Sequence, residues 1–425
     1  MNGGRGLASE GAPEELRPAR DRPEVLFVAP SPGMLRAGAE WVVIKNWLEG
    51  ARARWGSARI LTPGGYLDDD QIQSAAWGSD QQSTPRSSRG SMRTIAETAV
   101  KDVRSLIRMA RFDRSVNSNR LESDPILVWQ YHSLFQTAGL TVGRQTKAPV
   151  VLYVAAPQVW EASSWGVTRP LWGTLVERFG ESPQFARADL VACLSEDVAE
   201  ATIARGAVAD RVIVTPCTAD AVRESPSTVD MRRRLGFDNQ FVVGWVGSFR
   251  PFHNAEMLVR VVARLQRERN VGLLMIGNGP THGACVDLAS SLGLRKAVFP
   301  GAVPHHEIRE FLGAIDVGVI TSKFGGQFHY SPLKLKEYLA AGRAVVAPAV
   351  GEVARIFEDG HDLLMYPAGD ESEMAEVIGR IIDEPELRLR METQGQRTYD
   401  LLFTMRSQLD LVSDRLGLPL PGSVD

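Results

Sequence analysis

Short apolar runs alternate with amphipathic stretches along most of the chain. The first run, 25–29, ends in Pro30-Ser31-Pro32-Gly33, and apolar positions return at helical spacing over 39–48, giving strand, glycine loop and helix. Runs at 126–129, 150–154, 190–194 and 212–215 repeat the pattern, which restarts at 241–246 and continues through 272–276, 297–299, 317–320 and 344–347. Continuously apolar strands are buried on both faces, and strands alternating with helices pair in parallel. The pattern predicts two doubly wound α/β units in tandem.

Length agrees, since 425 residues exceed the roughly 250 to 300 that one core supports. The expected division is a loose tail over 1–22, a first domain over 23–217, a second over 218–400, and a C-terminal helix over 401–425 that returns to the first domain. The polar stretch 218–234 serves as linker, and one long helical segment is expected over 371–416. Residues 78–92, rich in Ser, Gln and Gly, read as a loop.

Composition excludes several classes of function. A net charge of −3 provides no global basic field, so no nucleic-acid partner is expected. Cys193, Cys217 and Cys285 show no paired spacing, which points to buried small side chains rather than a zinc site or disulfide framework. No run reaches the roughly 20 apolar residues of a membrane span, and 1–22 lacks a signal-peptide core, so a cytoplasmic protein is expected.

The richest chemistry lies in 331–342. Ser331 suits an N-cap, Pro332 the first helical position and Gly342 the position past the end, predicting a helix of about ten residues. The helix would follow a glycine-bearing loop after the run 317–320, where open parallel sheets bind ligands. Free N–H groups and the helix dipole make an anion site, and Lys334 adds charge. A diphosphate fits, and Glu337, about one and a half turns on, could then accept hydrogen bonds from an attached ribose.

These residues resemble glycosyltransferase family 4, retaining nucleotide-sugar enzymes of GT-B architecture. The resemblance runs over about 25–397 and rests on 247–254 (GSFRPFHN), 276–280 (IGNGP), 331–338 (SPLKLKEY), Gly351-Glu352 and Asp359-Gly360, with Gly38-Ala39-Glu40 and Arg187-Ala188-Asp189 in the first half. It implies two Rossmann-like domains facing a cleft, donor on the second and acceptor on the first. It also implies that Glu337 holds the donor ribose, that Ser331 and the following amides, including that of Leu333, face the diphosphate, and that Val303 is near the base. Ser248 and His253 stand where the family commonly has arginine and lysine, with Arg250 and Lys334 as compensating cations. His329 replaces the first glutamate of the Glu, seven residues, Glu motif, and is the candidate donor to the sugar or β-phosphate. The family's first-domain histidine has no clear match; His132 is the nearest alternative, with a core or loop role as its other reading.

The resemblance therefore implies transfer from a nucleotide-diphosphate sugar to a small-molecule, glycan or lipid-linked acceptor, by His329, Arg250 and Lys334, without metal or other cofactor. Other readings are a nucleotide-sugar-binding partner subunit, left open by His329, and an epimerase of the same fold. Abundant arginine and alanine are associated with GC-rich bacterial genomes, and so with natural-product or envelope glycan chemistry. On the acceptor side, Gly33 and Gly38 would permit close backbone approach or serve ordinary turns, and Trp160, Trp165 and Trp172 could pack on a sugar face or within the fold. Asp68-Asp69-Asp70 reads as a solvated acidic loop rather than a metal motif. Over 86–120, bases outnumber acids around Ile95, Val103, Leu106 and Ile107, a basic amphipathic helix able to meet an anionic membrane or acceptor, or simply a solvated face.

Overall fold

The computed structural model describes residues 24–31, 39–67, 92–118, 121, 124–164, 166–219, 228–237, 239–323 and 331–418. The expected tail, most of the loop 78–92, Asp68–Asp70, Gly33, Gly38, Trp165 and His329 lie outside them.

Two sheets form, as the apolar runs predict. The first contains β1 (Glu24–Val28), β2 (Ser57–Thr62), β3 (Gly65–Leu67), β4 (Leu127–Tyr131), β5 (Val150–Val154), β6 (Leu190–Cys193) and β7 (Val212–Val214), in the order β3-β2-β1-β4-β5-β6-β7. Among the described strands of this sheet only β2 and β3 pair antiparallel. The second contains β8 (Phe241–Val246), β9 (Val271–Ile276), β10 (Ala297–Gly301), β11 (Val317–Val319), β12 (Ala344–Pro348) and β13 (Leu364–Tyr366), ordered β10-β9-β8-β11-β12-β13 and parallel throughout. This is the doubly wound arrangement in each half, and together they make the GT-B fold.

Strands β2, β3 and β13 escape the pattern of continuous apolar runs. Ser57 and Arg59 interrupt β2; Arg59 donates to Glu24 at 2.8 Å and lies over the Tyr66 ring. Strands β3 and β13 have three residues each.

The expected long C-terminal helix is three: Glu371–Asp383, Pro385–Leu402 and Met405–Leu416. Pro385 opens the second, and the Thr404 hydroxyl accepts from Ser407 N–H to cap the third. The third helix packs on helix Ala39–Trp55 of the first domain: Leu409 and Val412 enter that domain's core, and Arg54 pairs with Asp410 at 2.5 Å. The chain thus crosses back.

Polar contacts hold the crossing between domains. Asn46 of the first domain donates to Thr218 C=O at 2.9 Å, while from the second the Ser331 hydroxyl accepts from Cys217 N–H at 3.1 Å and Tyr399 Oη donates to Ala219 C=O at 2.6 Å. Leu333 packs against the cores of both domains. The three cysteines are free and buried, and burial pushes each thiol up to about 12.

Helix Leu333–Ala340 is seated by Tyr338, whose buried ring packs on Gly318 of β11 so closely that a Cβ there would overlap it. Its Oη accepts from Val246 N–H at 2.9 Å, tying the helix to the end of β8. Tyr338→Phe leaves that N–H without this acceptor and is expected to lower unfolding stability by about 1 to 3 kcal/mol. Urea denaturation checks this; an unchanged midpoint and slope would mean that the hydroxyl does not support the strand end.

Candidate functional site

At the carboxyl ends of β8 and β9 the two following loops lie backbone against backbone. Gly277 and Gly279 have φ of 122° and 154°, and a Cβ on either would overlap the carbonyl of Gly247 or Ser248. Only glycine allows this approach. Within 247–254 Phe249 is buried at φ 43°, whereas Ser248 is exposed and Arg250 half-buried.

Cations gather above this cradle. The Lys334 Nζ lies 4.0 Å from the Trp245 ring centroid, a cation-π contact, and close enough to Gly247 that a Cβ there would sit 2.8 Å from it. The His253 ring meets Trp245 edge-on, with centroids 5.9 Å apart. Trp245 Nε1 donates to Thr321 Oγ1 at 3.0 Å, and Thr321 Oγ1 donates to His253 C=O at 2.5 Å, so one chain of bonds fixes the indole and the histidine backbone.

The electrostatics follow from withdrawing these groups from water. Burial pushes Lys334 down to about 7, partly opposed by the nearby Glu337 carboxylate. Burial, then Lys334 and Arg250, push His253 down to about 2. Near neutral pH His253 is therefore an uncharged imidazole, which leaves Arg250 and Lys334 as the cations of this site.

Ser331 also departs from expectation. The helix begins at Leu333 with Pro332 at the N-cap position and no side-chain cap, because the Ser331 hydroxyl is turned to the linker and to Lys336, whose Nζ donates to it at 2.7 Å. Lys336 is completely buried, pairs with buried Glu352 and lies over the Phe403 ring at 4.8 Å. Sequence reading assigned neither residue of this pair a structural role. The available signal was spacing, since Lys336 is three residues from both Leu333 and Leu339 on a helix whose other face is polar. At the helix end Gly342 has φ 62°, the conformation expected past a helix terminus.

Lys334 and Glu337 share one side of the helix, three residues apart, as Lys334's shift reflects. Val303 follows β10 and packs against the second-domain core. His132 is 2% exposed: one ring nitrogen meets Glu181 at 3.0 Å, the other Gln184 at 3.3 Å, and the ring packs on Phe185. Its contacts are those of a core residue. Trp160, on helix Gln158–Ser164, packs partly buried against the first-domain core, and Trp172 donates to Asp102 at 2.9 Å. Among the described residues no group of three His, Cys, Asp or Glu is placed to hold a metal ion.

The fold and cradle define a two-domain GT-B protein. Residues 240–384, within the second domain, match the family model described as Glycosyl transferases group 1. Among curated relatives, the D-inositol 3-phosphate glycosyltransferase of Stackebrandtia nassauensis is 30% identical over 245 residues, covering 54% of each chain. The alpha-D-kanosaminyltransferase of Streptomyces kanamyceticus is 28% identical over 164 residues, 38% of this chain and 42% of that one. The chain thus spans about half the length of the curated relatives it matches. In fold it is similar to Anabaena HepE, solved with UDP and glucose (TM-score 0.66, 17% identity, 92% of this chain and 99% of that one). Sucrose-phosphate synthase of Thermosynechococcus elongatus is comparable (TM-score 0.64, 18% identity, 93% and 99%).

An anion entering the cradle would raise the Lys334 pKa, so binding near neutral pH should take up a proton. Affinity for a nucleoside diphosphate is expected to be greatest below pH 7 and to fall by up to about tenfold per pH unit above it. Calorimetric titration with UDP in two buffers of different ionisation enthalpy measures the uptake. Buffer-independent heats in the wild type, or a pH profile unchanged by Lys334→Met, would contradict this role.

Proposed function

We propose that this protein transfers a sugar, in the cytoplasm, from a nucleotide-diphosphate sugar to a small-molecule, glycan or lipid-linked acceptor, with retention of configuration and without a metal ion. The observation that carries the reading is the glycine-lined cradle under Lys334 and Arg250, with Glu337 one turn along the same helix, all within the segment matched by the group 1 family. The relatives named as glycosyltransferases and the UDP-bound fold neighbour support the same chemistry.

In this mechanism the diphosphate binds against the loop 247–250 and the start of helix Leu333–Ala340, with its ribose toward Glu337. Lys334 and Arg250 offset the negative charge that grows on the leaving diphosphate as the glycosidic bond breaks. A diphosphate oxygen takes the acceptor proton on the same face, so no protein nucleophile is required, and the protein acts by positioning and electrostatic stabilisation. His253, uncharged, contributes as a hydrogen-bonding group. His329 remains the candidate contact to the sugar.

A thermal-shift screen with UDP, GDP, ADP and dTDP identifies the base, because a ligand of the folded state raises the apparent melting temperature. Acceptor-dependent release of that nucleotide from its sugar conjugate then tests transfer; binding without turnover would contradict it. Glu337→Ala should leave the fold intact and weaken binding by roughly 1.5 to 3 kcal/mol per charge-assisted hydrogen bond lost. Unchanged affinity in calorimetry would place the ribose elsewhere. Activity should survive exhaustive EDTA treatment; near-total loss restored by manganese or magnesium would reject the metal-free route.

A further inference from the structure

Helix Met92–Ser118 of the first domain has three sectors rather than two. At about 100° per residue, Thr98, Asp102, Met109, Phe112 and Val116 point into the domain, and each is buried. The exposed remainder divides again. Val100, Val103, Leu106 and Ile107 are 45 to 55% exposed and occupy one sector of about 120°. Lys101, Arg104, Arg108 and Arg111, all exposed, fill the adjoining sector. The helix carries six basic and three acidic residues. Of the acids, Glu97 pairs with Arg93, Asp113 accepts from Thr141, and Asp102 is taken by Arg169 and Trp172.

That last contact extends the apolar surface. Asp102 accepts from Arg169 Nε at 2.8 Å, from Arg169 Nη2 at 3.1 Å and from Trp172 Nε1 at 2.9 Å, clasping a turn against the flank beside Val103 and Leu106. At the tip of the turn Leu171 is fully exposed at φ 67°, a conformation uncommon for leucine, and farther along Leu175 and Phe179 are 55% and 65% exposed. The turn is locked from below while its leucine projects into solvent.

We propose that this face docks on an anionic lipid bilayer, with Val103, Leu106, Ile107 and Leu171 entering the headgroup boundary and Arg104, Arg108 and Arg111 meeting lipid phosphates. Charge complementarity selects this occupant. Single apolar side chains bordered by long arginine stems are the composition of an interfacial helix, whose apolar side enters the boundary while the cations snorkel to the anionic headgroups. No helix among the described residues is long and apolar enough to cross a membrane, so the contact is one of surface adsorption. It is independent of the transfer chemistry, and vesicle binding and nucleotide binding can fail separately.

The test is co-sedimentation of the full chain with vesicles of phosphatidylcholine alone and of phosphatidylcholine with about one-third phosphatidylglycerol. The wild type should bind the second at least tenfold more tightly and be released by salt. Leu106→Glu with Ile107→Glu, and separately Arg104→Glu with Arg108→Glu, should each reduce binding at least tenfold while leaving the melting temperature and nucleotide binding unchanged; Leu171→Ser should reduce it less. Equal binding to both vesicles, no binding to either, or variants that bind like the wild type would overturn the proposal. Absence of vesicle binding together with self-association abolished by the leucine and isoleucine changes would also overturn it, assigning the face to a second copy of the chain.

Discussion

A lysine ammonium withdrawn from water, that of Lys336, fixes how the parts of this molecule meet. Burying a charge is costly unless it is paired and hydrogen-bonded, and here the partners come from separate segments: Glu352 at the start of helix Gly351–Ile356, and Ser331 before helix Leu333–Ala340. Because Ser331 also takes the N–H of Cys217, the same cluster reaches the chain leaving the first domain. The helix that presents Lys334 and Glu337 is thereby registered against the interdomain crossing, while Tyr338 registers it against β8. Loss of either partner would strand a buried charge at this junction.

That placement produces the chemistry. Lys334 and His253 lie against one indole, with Arg250 near His253, beside a floor where glycine lets two loops touch. Burial depresses the proton affinity of both Lys334 and His253, and for His253 the nearby Lys334 and Arg250 add to it. A cation withdrawn from water gains most from an anionic partner, and this is the ground for proposing the diphosphate at Lys334. The buried pair below it holds the geometry, and the cations above it supply the field.

Much of this was legible in the apolar pattern. Uninterrupted runs such as 150–154 and 272–276 read as strands buried on both faces, and Gly342 as the residue past a helix end. What escaped was what depends on partners distant in sequence. Ser331 has the composition of a cap, yet a backbone N–H 114 residues earlier claims its hydroxyl. His253 matches a cation by position, but burial, helped by Lys334 and Arg250, holds it neutral. His132 had two readings, an acceptor-side group or a core or loop residue, and its burial against Glu181 and Gln184, some 50 residues on, is that of a core residue. Strand β2 was obscured by Arg59, a charge that belongs there only because Glu24 lies beside it.

The central claim is that the diphosphate of a nucleotide sugar rests between the loop 247–250 and Lys334. The most direct measurement is a crystal structure of the chain with the nucleoside diphosphate selected in the ligand screen. The expected result has phosphate oxygens within hydrogen-bonding distance of Lys334 Nζ and the 248–250 backbone, with the ribose hydroxyls on Glu337. A nucleotide bound away from the ends of β8 and β9, or one whose diphosphate leaves Lys334 on Trp245 without contact, would contradict the account.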